Sequence, residues 1–240
     1  LDRDSIEAAI AQSKPDLIAH FAAFAYVGES VSEPALYYRN NFVGTLNLLD
    51  AMRSCAVERI LFSSTCATYG IPESLPIDET LPQNPINPYG RSKLFIEQVL
   101  ADFNAAGADA DGEIGERHEP ETHAIPLAIA SALEQGSEFT VMGTDFDTRD
   151  GSAIRDYIHV EDLAAAHVAA GELLMEDAGL HVFNLGTGTG FSVREVVEHS
   201  REVTNRAVPM TEGDRRPGDC TKLVSGSVRA ETELGWRPTR

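Results

Sequence analysis

The 240-residue sequence has only three cysteines, Cys55, Cys66 and Cys220, and no C-x-x-C spacing. An odd, scattered set argues against a disulfide framework or structural zinc and fits a reducing cytoplasm. No apolar run approaches the roughly 18 residues of a membrane span, so no membrane association is expected. No basic stretch leading into an apolar one marks a secretion signal. Positive charge is scarce: 19 Lys and Arg face 38 Asp and Glu, for a net charge of −19, and only Lys14, Lys93 and Lys222 are lysines. A field of that sign repels phosphate backbones and argues against generic nucleic-acid binding. The sequence lacks G-x-S-x-G, which removes a hydrolase elbow. The histidines of "HEPETH" (118–123) are five apart with a proline between them. A zinc protease needs them four apart in His-Glu-x-x-His, so no metal is expected. G-x-G-x-x-G is missing too. "GTGTG" at 186–190 runs into Phe191 where that fingerprint needs a small residue, and Ser192 with Glu195 reads as a capping box opening a helix.

What is present alternates. Residues 3–13 and 34–53 have apolar positions at helical spacing, while Leu17–Phe21 and Arg59–Ser63 read as short buried strands. Strand and helix in alternation predict a parallel sheet with helical crossovers. A proline-rich surface loop then leads to a helix over Tyr89–Asp102. The Gly/Asp/Glu-rich stretch that follows has no periodicity and reads as a long loop. Beyond it, "AIPLAIASALEQG" reads as a helix with a glycine stop, "FTVMG" as a strand, and "TDFDTRDGSAIRD" as a loop. "YIHVEDLAAAHVAAGELLM" reads as a strand tip and helix, and "GLHVFNLGTGTGFSVREVVEHSREV" as strand, glycine-rich turn and helix.

The chemistry concentrates in "NPYGRSK", 87–93. Residues four apart share a helix face, so Tyr89 and Lys93 present a phenol and an ammonium together. A nearby cation favours phenolate and lowers the tyrosine pKa, which suits a general base. An ordinary exposed pair is the competing reading. Upstream, "SSTCATYG" places Ser63, Ser64 and Thr65 at the carboxyl end of a predicted parallel strand. Open α/β sheets bind ligands at that end. A hydroxyl there would hold the oxygen that the tyrosine deprotonates, unless it only caps the following turn.

Seven segments appear in family order: "HFAAFAYVGESV", "NNFVGTLNLLDAM", "SSTCATYG", "NPYGRSK", "FNAAGADADGEIGE", "GTDFDTRDGSAIRDYIHVEDLA" and "FNLGTGTGFSVREVV". Together they resemble the UDP-glucose 4-epimerases, extended short-chain dehydrogenases/reductases. The resemblance implies an α/β fold: an incomplete Rossmann-like, doubly wound parallel sheet with a smaller C-terminal substrate-binding α/β domain. It implies an NAD-binding domain of residues 1–103 plus 155–190, and a nucleotide-sugar-binding domain of 104–154 plus 191–240. It implies the interconversion of UDP-glucose and UDP-galactose. Tyr89 takes the proton of the sugar 4-hydroxyl as hydride passes to NAD, the 4-keto sugar turns over, and hydride returns to the other face.

By the same resemblance Lys93 depresses the Tyr89 pKa and Thr65 hydrogen-bonds the sugar oxygen. Phe21, Ala22, Ala23, Asn40, Ser63 and Phe103, with Tyr89 and Lys93, line the cofactor. Asn104, Arg155, Arg216 and Asp219 bind the nucleotide sugar, arginine suiting diphosphate through its paired donors. Cys66 and Ala67 stand where the related dehydratases carry Asp-Glu, so dehydration is disfavoured. A homodimer through the helices at 34–53 and 89–102 follows from the resemblance as well. Three departures accompany it. The family's opening glycine turn, roughly 50–60 residues before Leu1, is not in the sequence. Only nine residues separate Lys93 from Phe103. An ordinary helix of about 11 residues and a strand of five or six cannot fit there, which predicts unpaired sheet edges. The family's last helix, beyond "WRPTR", is missing. Other UDP-sugars, N-acetylated, uronic or pentose, remain open as substrates, as does an inactive nucleotide-sugar-binding remnant.

Overall fold

The computed structural model describes residues 2–103, 123–135 and 138–240. Helix α1 (Arg3–Ser13) begins at Asp2, whose carboxylate accepts the Asp4 and Ser5 amides, and ends at Lys14 in the left-handed region. The turn at Pro15 leads into β1 (Ile18–His20), which pairs in parallel with β2 (Ile60–Phe62), Ala19 opposite Leu61. Between them run α2 (Val27–Ser32), α3 (Pro34–Tyr37), a π-helical segment (Tyr38–Val43) and α4 (Gly44–Ser54). The helix expected over 34–53 is thus one helical run with a widened turn. That turn carries Asn41, which is 1% exposed. Its side chain accepts the Phe24 amide at 2.8 Å and donates to the Phe24 carbonyl at 3.0 Å and to Ser92 Oγ at 3.0 Å. An inward amide there satisfies the loop after β1, which has no strand neighbour. π-turns recur at such functional segments.

After β2, Thr65 caps a 3₁₀ turn (Cys66–Tyr69) by accepting the Ala67 amide at 3.2 Å. Helix α5 (Pro88–Phe103) follows, with Asn87 Oδ1 accepting the Gly90 amide at 2.8 Å and proline in its first turn. Ile10, Leu49, Met52, Ile60, Ile96 and Leu100 close the core that these elements share. Each large side chain buried there contributes about 1.5–3 kcal/mol.

In the second half α6 (Ala124–Ala132) and α8 (Val193–Thr204) cover β3 (Phe139–Met142) and β6 (Met210–Gly213), a parallel pair with Phe139 opposite Met210. Ser192 and Glu195 form the predicted capping box of α8. A third sheet has the order β5 (Phe191–Ser192), β4 (Ile154–Arg155), β7 (Lys222–Leu223), with β4 antiparallel to β5 and parallel to β7. Helix α7 (Val160–Glu176), begun by His159, packs on α9 (Val228–Leu234) through Ala166, Ala230 and Trp236. The Trp236 indole donates to the Asp162 carbonyl at 2.7 Å.

Three expectations differ. No strand forms at 180–186 among the described residues. Its partner would have come from between Lys93 and Phe103, but those residues are all helical in α5. A cavity of about 560 Å³ stands there instead, bordered by Ile60–Thr65 on one side and Leu180–Leu185 on the other. The strand expected at "YIHV" is replaced by β4, inside the stretch read as a loop. Its pairing comes from β7, far along the chain, which local pattern cannot reveal. Helix α6 stops at Ala132, short of Gly136, which lies outside the described residues.

Candidate active site

Tyr89, Lys93 and Glu97 form a stripe on α5, one helical turn apart, and each reaches a different residue of the segment leaving β2. The Tyr89 phenol faces the Thr65 hydroxyl, which pulls its pKa down. The Lys93 ammonium donates to the Ser63 carbonyl at 2.7 Å and lies 4.6 Å from the Phe62 ring centroid. Glu97 accepts from Ser64 Oγ and, at 2.6 Å, from Gln83 Nε2. Gly90 permits this approach: a Cβ there would stand 2.5 Å from the Ala67 carbonyl oxygen. The segment lies at the carboxyl end of a parallel strand, where open α/β sheets bind ligands.

Burial governs the charges. Lys93, 3% exposed, has its pKa pushed down to about 8 by burial, against the upward pull of the Glu97 carboxylate. Burial also pushes the Tyr89 phenol above its ordinary value, and the Thr65 hydroxyl pulls it back. The expected depression of Tyr89 by Lys93 is not found, because the ammonium points at the Ser63 carbonyl. His20 falls to about 4 through burial and the charge of Lys93. The Thr45 hydroxyl donates to the Asn41 carbonyl at 2.7 Å, so it receives the His20 Nε2–H at 2.8 Å, which assigns the neutral tautomer. Burial raises the Cys66 thiol as well, so it is no thiolate nucleophile.

Of the cofactor-side residues, Phe21, Ala22 and Ala23 follow β1 directly, and the Phe21 ring lies 5.0 Å from His167. The loop meets the stripe through rings: Phe24 to Tyr37 at 5.9 Å and Tyr37 to Tyr89 at 6.5 Å between centroids. Asn40 donates to Asn41 Oδ1 at 3.1 Å. Ser63, Tyr89 and Lys93 lie alongside. A loop after each of two adjacent parallel strands, with a phenol and an ammonium between them, fits the nicotinamide half of a dinucleotide. Phe103 is the last residue of α5, and Asn104 lies outside the described residues, as does most of "HEPETH".

Of the residues expected to bind the nucleotide sugar, Arg155, Arg216 and Asp219 come together. Asp219 holds Arg155 at 3.5 Å and Arg216 at 3.0 Å. The Gly218 carbonyl accepts from Asn87 Nδ2 at 3.2 Å, which ties this cluster to the start of α5. Sequence reasoning missed Asn41, Gln83 and Glu97. Glu97 did carry a signal, since it stands one turn beyond Lys93. Among the described residues no cluster of His, Cys, Asp and Glu could hold a metal ion, and no helix is long and apolar enough to cross a membrane.

Comparison with known proteins gives the family. The model of the NAD dependent epimerase/dehydratase family matches residues 1–186. The chain is 50% identical to UDP-glucose 4-epimerase of Rhizobium meliloti (strain 1021) over 251 aligned residues, covering 99% of this chain and 76% of that protein. The crystal structure of UDP-glucose 4-epimerase from Brucella ovis in complex with NAD superposes with a TM-score of 0.88 at 48% identity, covering 99% of this chain and 78% of that one. The Bifidobacterium longum enzyme in complex with NAD+ and UDP gives 0.89 at 39% identity, covering 100% of this chain and 76% of that one. The α/β fold is therefore the Rossmann-type fold of these enzymes, and the chain belongs to the NAD dependent epimerase/dehydratase family.

Proposed function

We propose that the chain is an NAD-dependent UDP-glucose 4-epimerase that interconverts UDP-glucose and UDP-galactose. The observation that carries this reading is the convergence of Tyr89, Thr65 and Lys93 at the end of β2, with the Arg155–Asp219–Arg216 clamp tied to the same helix. Phe21, Ala22, Ala23, Asn40, Ser63, Tyr89 and Lys93 would hold NAD, which when bound supplies a hydride acceptor and donor for the sugar C4. The arginines would bind the diphosphate of the UDP-sugar through paired donors, with Asp219 fixing their spacing. Thr65 would orient the 4-hydroxyl, and the Tyr89 oxygen would receive its proton and give it back to the sugar O4 once the 4-keto sugar has turned over. Tyr89 holds its own proton tightly in the present arrangement. Acting as a base requires that proton to leave, and an ammonium drawn towards the phenol eases this. With Cys66 and Ala67 next to Thr65, no acid–base pair is at hand for dehydration.

The division into a cofactor-binding part (1–103 plus 155–190) and a sugar-binding part (104–154 plus 191–240) belongs to this proposal. So does a cytoplasmic location, supported by the unpaired state of all three cysteines. A homodimer is supported by exposed apolar groups on the helices expected to pair: Leu36, Val43 and Phe95, with Tyr38 and Phe42 against the Phe95 ring at 6.0 and 5.9 Å. A second reading, a chain that binds nucleotide sugar without turnover, draws on the unbridged cavity beside Ser63–Thr65. The deciding assay follows UDP-galactose to UDP-glucose with added NAD. Tyr89→Phe is expected to lower kcat about 10²–10⁴-fold while the protein stays folded, the ordinary share of general acid–base catalysis. Normal turnover by Tyr89→Phe refutes the mechanism. UDP binding without turnover by the native chain establishes the second reading.

A further inference from the structure

The stripe on α5 has three members, and the reading above uses two. We propose that Glu97 is a positioning residue for the epimerase reaction, binding the Ser63–Thr65 segment to α5 and supplying the counter-charge of Lys93; the catalytic part of this inference rests on the epimerase reading.

Two connections run from its carboxylate to the reacting groups. The first is direct: Oε1 takes the Ser64 hydroxyl, between the residue that receives Lys93 and the residue that meets Tyr89. The second goes through Gln83, whose Nε2 donates to Glu97 Oε2 at 2.6 Å and to Thr68 Oγ1 at 3.1 Å. Thr68 Oγ1 in turn donates to the Thr65 carbonyl at 2.9 Å. Both ends of Thr65 are thereby referred to one side chain on the catalytic helix. β2 has β1 as its one strand neighbour among the described residues and borders a cavity on the other side. The segment that leaves β2 has little sheet to hold it there, and Glu97 takes that place.

Charge matters as well as hydrogen bonding. Lys93 is buried, its first partner is a neutral carbonyl, and neutral His20 faces it from β1. Glu97 is the acidic group that raises its pKa against the effect of burial. Around Glu97 itself stand Lys93 on the same helix and Cys66 and Tyr69 from the 3₁₀ turn, both held neutral by burial. A glutamine in its place keeps most of the hydrogen bonds and loses only the charge, so the two roles can be separated.

The test uses the full chain with Glu97→Gln and Glu97→Ala. With only three lysines in the sequence, the Lys93 side chain can be followed by NMR of isotope-labelled lysine, assigned by difference against Lys93→Met. Glu97→Gln is expected to lower the Lys93 pKa from about 8 by about one unit. It should also shift the alkaline limb of kcat the same way and lower kcat about fivefold at pH 8, with KM for UDP-galactose within twofold. Glu97→Ala should lower kcat a further tenfold by freeing Ser64 and Gln83. An unmoved Lys93 titration in folded Glu97→Gln overturns the proposal whether or not the native chain turns over. A fall in kcat with an unshifted pH profile overturns it too, since a merely structural role would do that. A native chain without turnover refutes the epimerase reading, while the lysine titration still decides the counter-charge.

Discussion

Gly90→Ala tests how closely α5 must approach the turn after β2. Helix propensity alone favours alanine over glycine by about 1 kcal/mol in a helix interior. The gain is smaller at Gly90, which sits in the first turn, where its amide already bonds to Asn87. Against this, the new methyl would lie 2.5 Å from the Ala67 carbonyl oxygen, 3.0 Å from its carbon and 3.0 Å from Pro85 Cβ. The first two are backbone atoms of a turn capped by Thr65, and no rotamer change can move them. The helix must withdraw by several tenths of an ångström, and such overpacking costs about 1–3 kcal/mol. Strain therefore outweighs propensity, and net destabilisation of about 1–2 kcal/mol is expected, a fall in Tm of about 2–8 °C for a chain of this size.

The effect on turnover should be larger than the effect on stability. Withdrawal moves the Tyr89 phenol away from Thr65 first, because Tyr89 is the neighbour of Gly90. A misplacement of about 1 Å in a reacting group can cost about 10²-fold in rate. Calorimetry and kcat on the same preparation check the pair of numbers. If Gly90→Ala melts at or above the native temperature and keeps full kcat, the close approach of α5 to Ala67 is not what aligns the site.

Asn41→Leu should destabilise the protein by about 1–3 kcal/mol in urea denaturation, because it takes the side-chain partner from the part-buried N–H and C=O of Phe24, while the Ser92 hydroxyl keeps its bond to the Tyr89 carbonyl. The retained fold should also show weaker NAD binding by titration calorimetry, since the Phe21–Ala23 loop loses its anchor. Acid should destabilise the chain through His20. Its folded pKa of about 4 lies below the ordinary 6.5, so the unfolded chain binds the extra proton first as pH falls. Stability is complete above pH 6.5 and declines down to about pH 4, by about 3 kcal/mol over the 2.5 units. Denaturant midpoints between pH 7 and 4.5 check this, and in folded His20→Gln the slope should flatten.

The sequence was most legible where the determinants are local. Periodicity located α1, β1, β2, α5, β3 and α7, and the Ser192–Glu195 capping box was readable at three-residue spacing. The roles given to Tyr89, Thr65, Arg155, Arg216 and Asp219 came from the family resemblance, while their placement, Tyr89 facing Thr65 and both arginines on Asp219, is what the structure adds. Short elements were less legible. β4 and β7 are two residues each and exist only through pairing across a long stretch of chain. α9 and β6 also escaped pattern reading. The strand at 180–186 was misread because its apolar content is genuine while no partner strand stands beside it among the described residues. An apolar stretch can pack against α7 and α9, as Phe183 and Leu185 do, without joining a sheet.

That outcome says where the rigidity of the site must come from. In an open α/β sheet the loops at the carboxyl ends are held by strands on both sides. Here β2 is bonded to β1 alone among the described residues, and its other side bords the cavity. A two-stranded parallel sheet is a weak support, since an isolated pair of strands is marginal without packing. The compensation is side-chain bonding from one helix: Ser92 to Asn41, Lys93 to Ser63, Glu97 to Ser64 and Asn87 to Gly218 all originate on α5 or its cap. Perturbing α5 should therefore disturb the loop after β1, the segment after β2 and the arginine clamp together, whereas perturbing any one of those should leave the other two in place.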